Sequence, residues 1–265
     1  MALSRLPSID ALAGHCLTDK TIGILPVGAT EAHGPHLPVS TDCDIAEGHL
    51  TALAGHLPPK IDALVLPIQR IGASLEHAHL AGTHSADFAS LLAEWFAIAK
   101  AFRESGGRKL VIVSSHGGNS AVVDSLILRA RAELDMLAVG TGWLRFGYPE
   151  GLFDENERRY GIHGGDIETS LMLHYWPEKV DMARAENFVS RLERLEPQMA
   201  HLTAYGRHRF GWLSTDLHPA GVVGNAAAAS AAKGAAAASH ILGGFVDLLE
   251  DIDRFDLEWL GEQKA

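Results

Sequence analysis

Apolar runs of strand length alternate with amphipathic runs of helical length through the N-terminal half of the chain. Residues 21–28, T-I-G-I-L-P-V-G, form the first such run and close on a glycine; residues 63–69, 109–115 and 138–146 repeat the pattern. The run over 109–115 is almost wholly β-branched or apolar, as a strand buried on both faces requires. Between these runs, helical periodicity covers residues 45–57, a stretch from Ser85 or Asp87 to about Glu104, and one from Asn119 or Ser120 to about Leu134. Gly106 and Gly107 close the second helix. Asp44 is placed to cap the first, because a side-chain oxygen there can accept from its free N–H groups, which leaves Asp42 for other chemistry. This alternation predicts βα units: an α/β fold with a mainly parallel sheet covered on both faces.

Outside that core the pattern is looser. Residues 1–20 read as a short helical lead-in, and residues 150–161 as a charged loop or short helix over the site. Residues 162–174 lead from glycines into a helix that ends near Pro177; residues 178–222 have no strong periodicity. The alanine-rich stretch from Asn225 into Leu249 is a helix by propensity, with side chains small enough for close packing. Nothing marks an internal repeat or a linker, so residues 1–265 are expected to form one domain.

Composition narrows the partners. With 47% hydrophobic and 21% charged residues, the chain is an ordinary globular protein. Its net charge of -11 argues against nucleic acid and anionic membranes. Cys16 and Cys43 are too few for a disulfide framework, and Cys43 reads as a small buried neighbour. There is no basic-then-apolar leader and no apolar run of membrane-spanning length, so a cytoplasmic protein is expected.

The chemistry concentrates just past the first strand, in G-A-T-E-A-H-G-P-H-L-P-V-S-T-D-C-D over residues 28–44. Open α/β sheets keep their ligand crevices at such strand ends. Glu31, His33, His36, Asp42 and Asp44 offer mixed imidazole and carboxylate ligands, which suit zinc, manganese or iron. Glu31 and His33, two apart, point to one face if extended, and Asp42 has two oxygens with which to bridge two cations. His116 stands at the end of the third strand, and Gly117 and Gly118 after it would let a substrate approach the backbone closely. His163 is a candidate proton carrier, and Glu168 either completes a second metal or favours the first turn of its helix. The loop over residues 72–83, G-A-S-L-E-H-A-H-L-A-G-T, is again rich in functional side chains, and no G-x-G-x-x-G follows the first strand.

These motifs, taken together, resemble the creatininase (creatinine amidohydrolase) family. The carriers are P-V-G-A-T-E-A-H-G-P-H-L-P with T-D after it, G-T-H-S at 82–85, S-H-G-G-N-S at 115–120 and H-G-G-D-I-E-T-S-L-M-L at 163–173. A weaker echo follows at 220–224 and 233–234. The resemblance implies a three-layer α/β/α fold, a homo-oligomer that is often a hexamer, and a hydrolytic site with two divalent metal ions (Zn, Mn or Fe). It makes Glu31 and His33 terminal ligands, Asp42 the bridge, His116 a further ligand, His163 the catalytic histidine and Ser74 a substrate-binding serine. Creatininase itself carries a metal-binding glutamate where this chain has Gly118, a tyrosine where it has Gly117, and a tryptophan near Arg159. Glu168 is the residue available to replace the missing glutamate, and the compact creatinine pocket is not expected.

The S-H-G-G-N form is instead similar to the broader membership: deformylases of formylaminopyrimidine nucleotides, a peptidase of mycofactocin maturation and hydrolases of cyclic keto-inositols. The expected function is metal-dependent hydrolysis of an amide-type C–N bond, in a cyclic amide or formamide of a small molecule. The alternatives are a peptidase of a modified peptide, a C–C hydrolase of a cyclic keto-inositol and a non-catalytic metal-binding assembly protein. A phosphorylated substrate would need a basic pocket, for which Arg158, Arg159, Arg207 and Arg209 are the nearby cations.

Overall fold

The computed structural model describes residues 3–261. Strands β1 (Ser4–Arg5), β2 (Ile22–Val27), β3 (Ala63–Val65), β4 (Lys109–Ser114) and β5 (Leu137–Gly142) form one sheet in the order β1-β3-β2-β4-β5, every pairing parallel. The helices are α1 (Thr41–Leu53), α2 (Phe88–Glu104), α3 (Ser120–Leu134), α4 (Glu155–Tyr160), α5 (Asp166–Tyr175), the single turns α6 (Leu192–Leu195) and α7 (Ser214–Leu217), and α8 (Ala231–Arg254). Side chains along a strand alternate between faces, and this sheet uses both. Leu25, Val27, Leu110 and Ile112 pack under Leu91, Trp95 and Phe102 of α2 and Val122 and Leu126 of α3. Ile22, Ile24, Val111 and Val113 face the other way, onto Leu50 and Leu53 of α1 and Ile241, Phe245 and Leu249 of α8. The fold is therefore α/β, with helices on both sides of a mainly parallel sheet. Each such aliphatic side chain contributes roughly 1.5–3 kcal/mol on burial.

Several local expectations are corrected. Of the expected helical lead-in, residues 1 and 2 lie outside the described residues, and the remainder is an edge strand followed by a 3-10 turn over Ile9–Gly14. Asp44 does not cap α1. The helix begins at Thr41, and Asp44 in its first turn accepts from Ser40 Oγ at 2.7 Å and pairs with Lys179 Nζ at 2.9 Å. Regular β3 stops at Val65 because Pro67 has no N–H for the ladder, although Gln69 N still donates to Pro26 O at 2.9 Å. β5 ends at Gly142 because Trp143 turns into the core, its ring 4.7 Å from that of Phe245. The alanine-rich helix starts only at Ala231, where Ser230 Oγ accepts from Lys233 N at 3.2 Å, and it runs past Leu249 to Arg254.

Candidate functional site

Three chain segments meet at the C-terminal rim of β2 and β4. The loop after β2 is held by Glu31 N donating to Val39 O (3.0 Å) and Ala32 N donating to Thr83 Oγ1 (3.0 Å). It turns at Gly34, whose φ is 72°; Gly164, at the turn before α5, has φ 67°. Val222 packs against both glycines where a Cβ would stand, so two left-handed turns close on one apolar wedge. That contact brings His163 and Glu168 to the β2 loop. From the β4 side comes His116, with its backbone N donating to Ser114 Oγ at 3.1 Å.

The six residues singled out as ligands or catalyst converge here. Glu31, Asp42 and His116 offer ligand atoms that all lie within 4.8 Å of one another; so do His33, Asp42 and Glu168, and so do Glu31, His33 and His163. Glu31, His33 and Asp42 each belong to two of these groups, and Asp42 turns one oxygen to each neighbouring imidazole, Oδ1 at 3.6 Å from His33 Nε2 and Oδ2 at 3.7 Å from His116 Nδ1. His116 Nδ1 is 3.1 Å from Glu31 Oε1, and His33 Nε2 is 3.9 Å from Glu168 Oε2.

Each histidine has its other ring nitrogen on a backbone carbonyl: His33 Nδ1 on Glu31 O at 3.0 Å, His116 Nε2 on Ala73 O at 3.0 Å and His163 Nε2 on Ala32 O at 2.9 Å. With those nitrogens donating, a lone pair on each ring faces the carboxylates, which is how proteins orient metal-binding imidazoles.

The site is nearly dry, and it is not internally satisfied. Glu31 is 0% exposed, yet neither of its carboxylate oxygens has a hydrogen-bond partner; Asp42 Oδ2 and His33 Nε2 are buried without one too. Buried carboxylates left in that state are costly unless a cation pairs with them. Divalent ions fit this donor set. Without one, the electrostatics are strained in opposite directions. Burial alone would lower His33 and His116, but the surrounding carboxylates, led by Asp42 for the first and Glu31 for the second, push them up to about 9 and about 10. Burial and the Glu31 charge raise Asp42, and burial with Asp42 raises Glu168 to about 7. For Glu31, His116 and the other imidazoles outweigh burial and hold it well below the usual range. Burial, then His33 and His77, hold His163 well below an ordinary histidine.

Ser74 is fully buried, its Oγ 3.3 Å from His116 Nε2. Gly117 is open, with nothing within 4 Å of where a Cβ would be, whereas a Cβ on Gly118 would collide with Ala73 O and His116 Nε2. His36 stays out of the cluster: burial lowers it to about 4, and its Nε2 meets Gly164 O and Thr169 Oγ1, both at 3.0 Å. Cys43 is the expected buried neighbour, its thiol pushed up to about 12 by burial.

Two participants were not singled out from the sequence. His77 is buried, packs against His163 with ring centroids 4.1 Å apart and planes tilted by 32°, and holds Nε2 4.0 Å from Glu31 Oε1. Glu76 Oε1 lies 3.6 Å from His116 Nε2. Their only signal was the density of polar groups in the 72–83 loop.

A model of the family described as Creatininase, creatinine amidohydrolase, matches residues 9–249. The chain belongs to the creatininase family. Members of this family are hydrolases, and the individual similarities spread over different substrates. The mycofactocin precursor peptide peptidase of Mycolicibacterium smegmatis is 30% identical over 238 residues, 86% of this chain and 83% of that protein. The creatinine amidohydrolase of Pseudomonas putida is 31% identical over 192 residues, 65% and 69% of the two chains. A solved creatinine amidohydrolase superposes with a TM-score of 0.71 at 25% identity, covering 94% of this chain and 95% of that one. Creatininase structures include a Zn-Zn form and a Mn form. Among the described residues, no helix is long and apolar enough to cross a membrane.

Proposed function

We propose that the protein is a metal-dependent hydrolase of an amide-type C–N bond in a small molecule, with the whole chain acting as one hydrolase domain. The observation that carries this reading is the set of buried, unpartnered carboxylate and imidazole atoms of Glu31, His33 and Asp42, each of which belongs to two of the three triads. Glu31, Asp42 and His116 would hold one ion and His33, Asp42 and Glu168 the other. Glu168 would stand in for the glutamate that Gly118 has no room to carry. Divalent ions bound there supply Lewis acidity toward a carbonyl oxygen and raise the acidity of water.

The chain's own groups handle orientation and the proton. His163 Nε2 is engaged with Ala32 O, so Nδ1, 3.6 Å from Glu31 Oε1, is the atom free to carry a proton. Burial keeps that imidazole neutral, ready to accept a proton from the attacking water and deliver it to the leaving nitrogen. His77 packs against the ring, the two centroids 4.1 Å apart. Ala73 O and Ser74 Oγ hold His116 from behind, which makes Ser74 a positioning residue in this scheme.

Mass-spectrometric metal counting on protein purified without added metal tests the reading. Close to two equivalents per subunit are expected, falling sharply in Asp42→Asn, together with turnover in a panel of lactams, formamides and linear amides that chelation abolishes. Turnover retained by Asp42→Asn would sink the mechanism. Identity to the mycofactocin precursor peptide peptidase over most of both chains favours a second reading, in which the amide is peptidic.

A further inference from the structure

The cleft at this site has two unequal halves. One, a cavity of about 180 Å³, runs from Glu31, Asp42 and Glu168 along the ends of β4 and β5 to Arg145. The other, about 400 Å³, lies beyond the waist formed by His116, Gly117, Ile162 and His163, which line both halves. The smaller half is polar at its far end. Arg145 is exposed and makes no hydrogen bond or ion pair among the described residues, Ser115 Oγ is buried with no partner, and Thr141 stands beside them. The larger half is walled by Phe88, Tyr205, Trp212, Ala121 and Ala204, with Tyr205 and Trp212 packed edge to face at 5.6 Å. Arg209 is its one arginine or lysine.

We infer that the cleft takes an open-chain N-acyl amino acid, with the amino acid's carboxylate on Arg145 and an apolar, preferably aromatic acyl group against Tyr205 and Trp212. This rests on the amide-hydrolase reading above and replaces the cyclic amide or formamide with a linear substrate. Three arguments lead there. A guanidinium with no internal partner, in a chain of net charge -11, is matched to a carboxylate, which it can grip with two parallel bonds. A cavity of roughly 150 Å³ holds a benzene-sized molecule, so the smaller half suits one amino-acid unit and the larger an acyl group of greater size. Finally, Gly117 lines both halves and a Cβ there would meet nothing within 4 Å, so no side chain narrows the waist at that position. In the hydrolysis, the oxygen of water forms the new C–O bond to the acyl carbon, the C–N bond breaks, and its electron pair takes the proton carried by His163 Nδ1. The products are a carboxylic acid and a free amino acid.

The test uses the full chain loaded with metal, and three probes: N-benzoylglycine, N-ethylbenzamide (a methyl group in place of the carboxylate) and 3-benzoylpropionate, an isostere with no C–N bond to cleave. Wild type should show at least tenfold higher kcat/KM on N-benzoylglycine than on N-ethylbenzamide. Arg145→Gln should erase that preference while changing N-ethylbenzamide turnover less than twofold, and Arg209→Gln should leave it intact. In calorimetry, 3-benzoylpropionate should bind at least tenfold more weakly to Arg145→Gln than to wild type. Equal turnover of the two amides, a preference lost in Arg209→Gln instead, or isostere binding that survives Arg145→Gln would overturn the inference. Turnover confined to lactams or formamides would overturn it too, but would leave the amide-hydrolase reading standing. No hydrolysis of any amide, with isostere binding still dependent on Arg145, would do the reverse.

Discussion

Two groups of buried acids flank the turn at Gly164 and Gly165, and they are treated in opposite ways. On one side, Glu157 accepts from Asn225 N at 2.8 Å and Ile167 N at 3.4 Å, and Asp166 accepts from Ser170 Oγ at 2.9 Å and pairs with Lys233. On the other side, Glu31 has no hydrogen bond to either oxygen, and Asp42 has none to Oδ2. Burial is comparable, with Glu157 3% and Asp42 1% exposed. The difference lies in the donors. An acid given backbone N–H groups or a lysine is scaffold, and one surrounded by other acids and by imidazole lone pairs is built to receive a cation.

Isosteric neutralisation should therefore cross over between the two sides. Asp42→Asn is expected to lose most bound metal and to lower activity by more than the roughly 10- to 100-fold typical of changes outside the ligand shell, with a folding transition of undiminished cooperativity. Glu157→Gln should keep its metal and lose about 1–3 kcal/mol in urea unfolding, since one side-chain acceptor becomes a donor facing an N–H. Metal loss in the second variant, or unfolding in the first, would break the distinction.

A smaller effect is expected at the glycines beside His116. Gly118→Ala pushes a methyl into Ala73 O and the His116 ring, so stability should fall by about 1–3 kcal/mol and metal affinity with it. Gly117→Ala meets nothing and should change neither. Titration sharpens the scaffold side. Burial raises Glu157 from 4.5 to about 7, outweighing its two backbone donors. A carboxyl whose folded pKa is raised stabilises fully below its unfolded value and loses that contribution as pH climbs to the folded one. The stability advantage of wild type over Glu157→Gln should therefore shrink between pH 4.5 and about 7 and be flat above. A modest change is expected of Ser74→Ala, which removes one contact of His116 Nε2 while Ala73 O stays. About 0.5–1.5 kcal/mol is expected, read as a drop of up to about tenfold in activity with metal content preserved.

Much of this was open to reading along the chain. The strand at 109–114 and the helix at 88–104 follow from apolar spacing, and Glu31, His33, Asp42, His116, His163 and Glu168 stand in short motifs at strand or helix ends. His77 and Glu76 give no signal of their own in the sequence, because a histidine and a glutamate in a polar loop look the same whether they face solvent or a buried carboxylate. Asp44 departs from the capping role its position suggests for a related reason. A four-residue shift in the start of α1, from residue 45 to Thr41, puts Asp44 inside the first turn as the partner of Lys179, which is distant in the chain.

Sequence by itself determined the alternation of buried strands and amphipathic helices, hence the parallel sheet, and it determined which chemical groups stand at the sheet's rim. Both are local properties, carried by periodicity and residue type over a few neighbours. Only the tertiary structure decided which acids are left without donors, which ring nitrogens face inward, and that the pockets lined by Arg145 and by Trp212 adjoin at His116 and His163. Those depend on partners distant in the chain: Val222 wedged between Gly34 and Gly164, and Ala32 O beneath His163. Hydrogen-bond satisfaction and cavity shape are set when such segments pack, and no window along the chain contains them.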